Sequence, residues 1–189
     1  MKTRHLSWIA LLLAATVLVV LRLDWQELPE KVAVHFDAAG RPNRWDSRQS
    51  LALGTAALHL GVAAVLVLVT SFLHRLPPGV MNLPKADYWR RPENPPEACR
   101  ISREWARWFS AGQLVWATLM DRQLILANQV RPPRLDSDAV WTLSAAFVGF
   151  ALLSIGLMLI RLNRVPKGPE AGHSFCFFLF GTSGSGTPF

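Results

Sequence analysis

The sequence predicts an all-α membrane protein: a bundle of four transmembrane helices carrying a short, extracytoplasmic loop of β-hairpin character. Three observations predict it. Apolar runs at 6–23, 51–73 and 139–160 each approach the roughly 20 residues that cross a bilayer core. A fourth run, 105–130, is long enough but is interrupted by Asp121, Arg122 and Gln123. The basic residues that give a formal charge of +7 fall in the segments flanking these runs, the arrangement that sets topology in a membrane.

The first five residues form a short cytoplasmic N-terminus, and the span at 6–23 follows. Arg22-Leu23-Asp24-Trp25 succeeds it with no small-x-small cleavage pattern, so it is expected to be a retained anchor rather than a secretion signal. Residues 24–50 form the outer loop. Within it, Val32, Val34 and Phe36 alternate with Ala33, His35 and Asp37, the two-residue period of a half-buried strand. The stretch 38–43 then supplies turn chemistry, with Gly40 free to take a positive φ, and Arg44 to Asp46 is the candidate return strand.

The second span is 51–73. Gly54, Ala57, Gly61 and Ala64 form a ridge of small residues along it, and Ala145, Gly149 and Gly156 form another in the fourth span, 139–160. Lipid gives no hydrophobic drive between helices, so close backbone approach along such ridges is the expected packing device. Residues 74–104 form a cytoplasmic loop that begins with turns and ends in an interfacial helix from Glu97 onward. That helix gathers Ile101, Trp105 and Trp108 on one face. The third span is 105–127, the second outer loop 128–138, and the cytoplasmic tail 161–189. The apolar part of the tail beyond Gly172 is too short to span, its Gly/Ser ending reads as flexible, and Cys176 is a candidate for acylation.

With four spans both termini share one side. That side carries twelve Lys and Arg residues and the other eight, which places the termini in the cytoplasm. Trp8, Trp25, Trp105, Trp108 and Trp141 lie near span ends, where an amphipathic ring prefers the headgroup level. This accounts for the positive charge without a nucleic-acid partner. The partner expected from composition is the bilayer. Two cysteines in separate segments suggest neither a disulfide framework nor a metal site.

Across the outer loop, Leu28-Pro29, His35-Phe36, Gly40-x-Pro42 and Trp45 resemble the signature of a bacterial membrane family described as domain of unknown function 1648. The same module is found at the N-terminus of SdpI-type toxin-immunity proteins. The stretches "NLPKADYWRRPE" (82–93) and "ANQVRPPRL" (127–135) fit membrane proteins that carry it. The resemblance implies a multi-pass protein of the bacterial plasma membrane whose outer loop engages a peptide, toxin or envelope component.

Three groups of residues are candidates for function. On the outer loop, His35, Asp37 and Trp45 are the expected ligand-binding set. His35 and Asp37 alone are too few ligands for a closed zinc site, so no metal and no cofactor is expected. His35 reads alternatively as a structural hydrogen-bonding residue or a pH sensor. Inside the bilayer, Arg22, His59 and Asp121 are expected to form a polar cluster beneath the loop, since ionisable groups in hydrocarbon seek one another. The competing reading has Thr55 satisfying His59 and Arg22 snorkelling to the headgroups. On the cytoplasmic side, Tyr88 and Trp89 would anchor a protein partner, or Arg100 and Arg103 would contact anionic lipid. No nucleophile elbow, phosphate loop, zinc-protease helix or nucleotide fingerprint occurs. The expectation is a non-enzymatic binding, sensing or immunity-like protein. A small proton-coupled transporter, or a subunit of one, using His59 and Asp121 is the second reading, and a surface enzyme using His35 and Asp37 the third.

Overall fold

In the computed structural model the described residues are 2–20, 25–77, 80, 83–91 and 93–165; the tail from Gly172, with Cys176, lies outside them, as does Arg22. The described residues are mostly helical, with one two-stranded antiparallel sheet. The order is α1 (Lys2–Val20), β1 (Lys31–Phe36), β2 (Pro42–Ser47), α2 (Arg48–Phe72), a 3-10 turn (Leu73–Arg75), α3 (Ala86–Trp89), α4 (Pro95–Gln129) and α5 (Ser137–Asn163).

Local chemistry sets the helix ends. Ser47 is extended and its side chain accepts from the Ser50 N–H, so β2 passes directly into α2 through an N-cap. Asp136 does the same for α5, accepting from the Ala139 N–H at 3.0 Å. Pro95 opens α4 at a position that needs no N–H donor. Val130 turns extended just before Arg131-Pro132 and ends it. The segment from Glu97, expected as an interfacial helix leading into the third apolar run, forms one unbroken helix with it. No proline or glycine lies between Pro96 and Gly112 to break it.

The centre of the bundle is α4, which packs along α1, α2 and α5. On its α1 and α2 side, Leu11, Ala14, Leu18, Ala63, Ala111, Leu114 and Ala117 form one apolar cluster. On its α5 side the contact is aromatic: Trp116 stacks on Phe147 with centroids 4.8 Å apart, and Phe109 stacks on Phe150 at 5.9 Å. Gly112 lets the Phe150 ring sit against the α4 backbone, where a Cβ would collide with it. The small-residue ridges predicted to pack helices within the chain do something else. Among the described residues nothing lies near the place a Cβ would occupy at Gly54, Gly61, Gly149 and Gly156, and Gly54, Ala57, Gly61 and Ala64 are all exposed. The ridge of α2 points away from α4, because the side facing α4 is taken by His59, Ala63 and Thr70.

Among the described residues two helices are long and apolar enough to cross a membrane: α2 with its 3-10 extension (48–75, mean hydropathy 2.3) and α5 (137–163, mean hydropathy 2.4). Almost none of either apolar stretch is buried within the chain. A shorter apolar stretch, 7–19, lies in α1.

The hairpin sits on one end of the bundle. Trp25, Leu28, Val32 and Ile125 form a buried cluster there, with Val34, Leu51 and Ala52 against it. Strict alternation along β1 fails at one place. Val32 and Ala33 are both fully buried, because the β1 edge at Ala33 is covered by α4 as well as its inner face by the cluster. The register is irregular on either side of His35.

Candidate functional site

Two hydrogen-bonded contacts pin the hairpin. Asn128, in the last turn of α4 and 6% exposed, accepts from the Ala33 N–H at 2.7 Å and donates to the Ala33 carbonyl at 3.0 Å. A side-chain amide thus replaces a neighbouring strand. At the tip, Gly40 takes φ +74° and its carbonyl accepts from the Leu135 N–H at 3.0 Å. A Cβ at position 40 would strike the Leu135 carbonyl oxygen, so both the backbone sign and the close approach require glycine. Arg48 adds a third tie by donating to the Leu28 and Gln26 carbonyls.

The three candidates on the hairpin have different jobs. Asp37 shapes the turn: Oδ1 accepts from the Ala39 and Arg41 N–H groups, each at 2.9 Å, and Oδ2 accepts from Arg41 Nε at 2.8 Å. The Arg41 backbone N–H, then the Arg41 guanidinium and the Ala39 N–H, hold its carboxyl below the ordinary value. His35 is exposed and shares a 2.6 Å hydrogen bond with Asn43 across the ribbon. Trp45 pairs with Ala33 and is 43% exposed. His35 and Asp37 therefore do not converge on one ligand position. Between the hairpin tip and the α4–α5 connection lies an open concavity of about 660 Å³, bordered by Ala38, Ala39, Val130, Pro132 and Asp136.

Beneath the hairpin a polar spine runs along α4. Glu104, Arg107, Ser110, Gln113, Thr118, Asp121 and Asn128 are all buried. Arg107 donates to Ser7 Oγ of α1 at 2.8 Å and lies over the Trp8 ring. Gln113 Nε2 and His59 Nδ1 are 3.1 Å apart, and the His59 ring meets Trp116 edge-on. Gln113 therefore engages His59, the role expected of Thr55. Asp121 is 2% exposed. It lies eight residues further along α4 than Gln113, about 12 Å in axial rise, so His59 sits well below it. Arg22, the third member of the expected cluster, is outside the described residues.

At the opposite end, Glu104 accepts from Arg100 at 3.3 Å and from Arg161 at 3.4 Å, tying α4 to α5. Glu97 and Arg100 form a two-bond pair at 2.7 and 2.6 Å. The Arg100 guanidinium holds the Glu97 carboxyl below its usual range, and Glu97 raises Arg100. Trp89 is 3% exposed and its indole N–H donates to the Leu162 carbonyl at 3.0 Å. That residue is an internal anchor for the segment between α2 and α4 and is not presented to a partner. Tyr88 packs edge-on against it and is half-buried. Arg103 is half-buried, and its charge opposes the rise that burial gives the Cys99 thiol. A groove of about 240 Å³ between α4 and α5 is lined by Trp105, Trp108, Phe150, Leu157 and Met158, with Glu104 and Arg161 at its polar end. Among the described residues no group of three or more His, Cys, Asp or Glu side chains is placed to hold a metal ion.

Asn128, Gln113, Glu104 and Arg107 were absent from the sequence candidates. Part of the signal was present: Glu104, Arg107, Ser110 and Gln113 recur at every third position and Thr118 and Asp121 repeat that step, a spacing that keeps neighbours on one side of a helix.

Residues 10–59 match the family model of a domain of unknown function, DUF1648. The match runs from α1 through the hairpin to His59 on α2. Neither the curated proteins nor the solved structures give a match.

Proposed function

We propose that this DUF1648-bearing chain is a multi-pass protein of the bacterial plasma membrane. In this reading α1, α2, α4 and α5 all cross the bilayer, both termini are cytoplasmic and the hairpin stands outside. The polarity of the bundle supports it. In α4 seven polar side chains, Glu104, Arg107, Ser110, Gln113, Thr118, Asp121 and Asn128, are turned inward, while α2 and α5 turn Leu53, Leu58, Leu152 and Leu153 outward, the inverse of a water-soluble bundle. The cytoplasmic end then holds the larger share of the Lys and Arg residues.

Its activity, on this reading, is non-enzymatic binding or sensing, of the kind an immunity protein performs, with a peptide, toxin or envelope component as ligand. One observation carries the proposal: the hairpin is pinned by its backbone at Ala33 and Gly40, so His35, Asn43 and Trp45 stand on a base that needs no ordering when a ligand arrives. Trp45 supplies the large, half-exposed surface that anchors protein contacts. A proton-coupled transporter is the second reading, favoured by the part-buried His59–Gln113 contact below Asp121.

Cells carrying His35→Ala or Trp45→Ala are expected to change in sensitivity to envelope-active peptides while the protein stays at its normal level in membranes. Normal sensitivity in both variants, together with proton-coupled uptake by the purified chain in liposomes, would replace binding with transport.

A further inference from the structure

The two edges of the hairpin are treated differently by the fold. The β1 edge is closed, because both backbone groups of Ala33 bond to Asn128. In an antiparallel ribbon a residue whose N–H and C=O both point outward belongs to a non-hydrogen-bonded pair. Ala33 pairs with Trp45, so the Trp45 N–H and C=O also point outward, to the far edge of β2. The Arg48 N–H bonding to the Glu30 carbonyl fixes the same phase three positions away. Among the described residues the sheet has no strand beyond β2. An open edge of this kind is a template for another strand.

The sequence of β2 says which strand fits. About Trp45 it reads Asn43-Arg44-Trp45-Asp46-Ser47. If a second β2 pairs antiparallel with Trp45 opposite Trp45, then Arg44 faces Asp46 of the second copy and Asp46 faces its Arg44. Both ion pairs fall on one face of the ribbon and the tryptophan pair on the other. The outward-pointing backbone of Trp45 makes that central pair a hydrogen-bonded one. The edge is complementary to itself, as a two-fold interface requires.

We infer that the β2 edge joins two copies of this chain into a two-fold dimer with a continuous four-stranded sheet. The inference rests on the membrane reading above in one respect. Copies confined to one bilayer with one orientation present this edge at the same height. The chain continues from β2 directly into α2, whose small-residue face, Gly54, Ala57, Gly61 and Ala64, is exposed, with nothing among the described residues within 4 Å of a Cβ placed at Gly54 or Gly61. Small residues turned outward in a membrane helix suit close approach of a second helix, so the interface extends from the sheet down into the bilayer.

Charge exchange tests the pairing. In an Arg44→Asp chain, two carboxylates face each other at both contacts of a homodimer. In an Asp46→Arg chain, two guanidinium groups do. A mixed pair of the two variants has opposite charges at both contacts. With the full-length variants carrying different tags and co-expressed, mixed pairs are expected to exceed either like pair by about fivefold in nanodiscs or mild detergent, and wild-type chains to dimerise alone. Each variant's melting profile as a separate chain checks folding, since Asp46 also accepts from the Ser47 N–H. Folded variants that show no preference for mixed pairs overturn the inference. A wild-type chain that fractionates with membranes yet is monomeric also overturns it, leaves the membrane reading standing and assigns the edge to an extended peptide. A chain recovered without membranes overturns both.

Discussion

Helices α4 and α5 lie side by side and are built on opposite rules. Of the 35 residues of α4, sixteen are buried, seven of them charged, amide or hydroxyl-bearing. Of the 27 residues of α5, one is buried, Leu162. Overall hydrophobicity would rank α5 as the core element and α4 as the surface one. Packing reverses that order, because α4 touches α1, α2 and α5 while most of α5 faces outward. In water such an α5 would expose a contiguous apolar surface well beyond what a monomer tolerates. In lipid the apolar surface is already in its preferred solvent, and the polar spine of α4 is what has to be enclosed. Where the polar atoms point therefore reports the surrounding medium better than average hydropathy does.

The largest effect is expected where the spine meets the hairpin. Asn128→Ala removes the partner of both Ala33 backbone groups, which are fully buried. At roughly 2 kcal/mol for each buried group left unsatisfied, docking of the hairpin should weaken by about 4 kcal/mol. Amide exchange across 31–47 is expected to accelerate by about three orders of magnitude at that figure. Asn128→Asp keeps the acceptor for the Ala33 N–H and loses the donor to its carbonyl, so it should fall between. Exchange rates like wild type in Asn128→Ala would mean that the apolar cluster around Val32 holds the hairpin unaided.

The next effect comes from the outside of α5. Leu152, near the middle of that helix, is 68% exposed. If its surroundings are lipid, Leu152→Arg should cost about 3 kcal/mol; in water an exposed substitution stays within about 0.5 kcal/mol. Thermal unfolding of the purified variant in nanodiscs reads the difference. A neutral Leu152→Arg would remove the contrast on which the membrane reading stands.

Much of this was legible in the residues. The hairpin, with Gly40 at a positive φ and the return through Arg44 to Asp46, follows from two-residue alternation and turn chemistry over 31–47. Helices α2 and α5 follow from apolar length alone. Other features were hidden because they depend on what packs against what. Nothing local says that Asn128 will meet Ala33, 95 positions away, or that Gln113 rather than Thr55 will engage His59. The direction of the α2 small-residue ridge was equally hidden. Its period marks a face, and only the assembled bundle shows that His59 and Ala63 take the side toward α4. Trp89 was misjudged for a related reason. An aromatic residue in a polar loop reads as a surface anchor until Leu162 supplies a buried carbonyl for its indole.

The smallest effect belongs to the hairpin tip, which lies in neither environment and is exposed to solvent, so that charges there are screened. Asp37 is the group to titrate. Its folded carboxyl is held below the ordinary value by the Arg41 backbone N–H first, then the Arg41 guanidinium and the Ala39 N–H. A depressed pKa means that the folded turn binds its proton less readily than the unfolded chain does. The contribution is therefore fully present above the ordinary carboxylate range and is lost as pH falls through the folded value. Amide exchange at Ala39 and Arg41 is expected to stay slow at neutral pH and to quicken, relative to the intrinsic rate, only in acid below that range. In Asp37→Asn the side-chain oxygen still accepts from both N–H groups, so the turn should persist while its acid transition disappears. A transition of unchanged size in that variant would assign the pH dependence to another group. Loss of Asn128-held protection along β1 over the same pH interval would show that the tip and the polar spine are one cooperative unit rather than two.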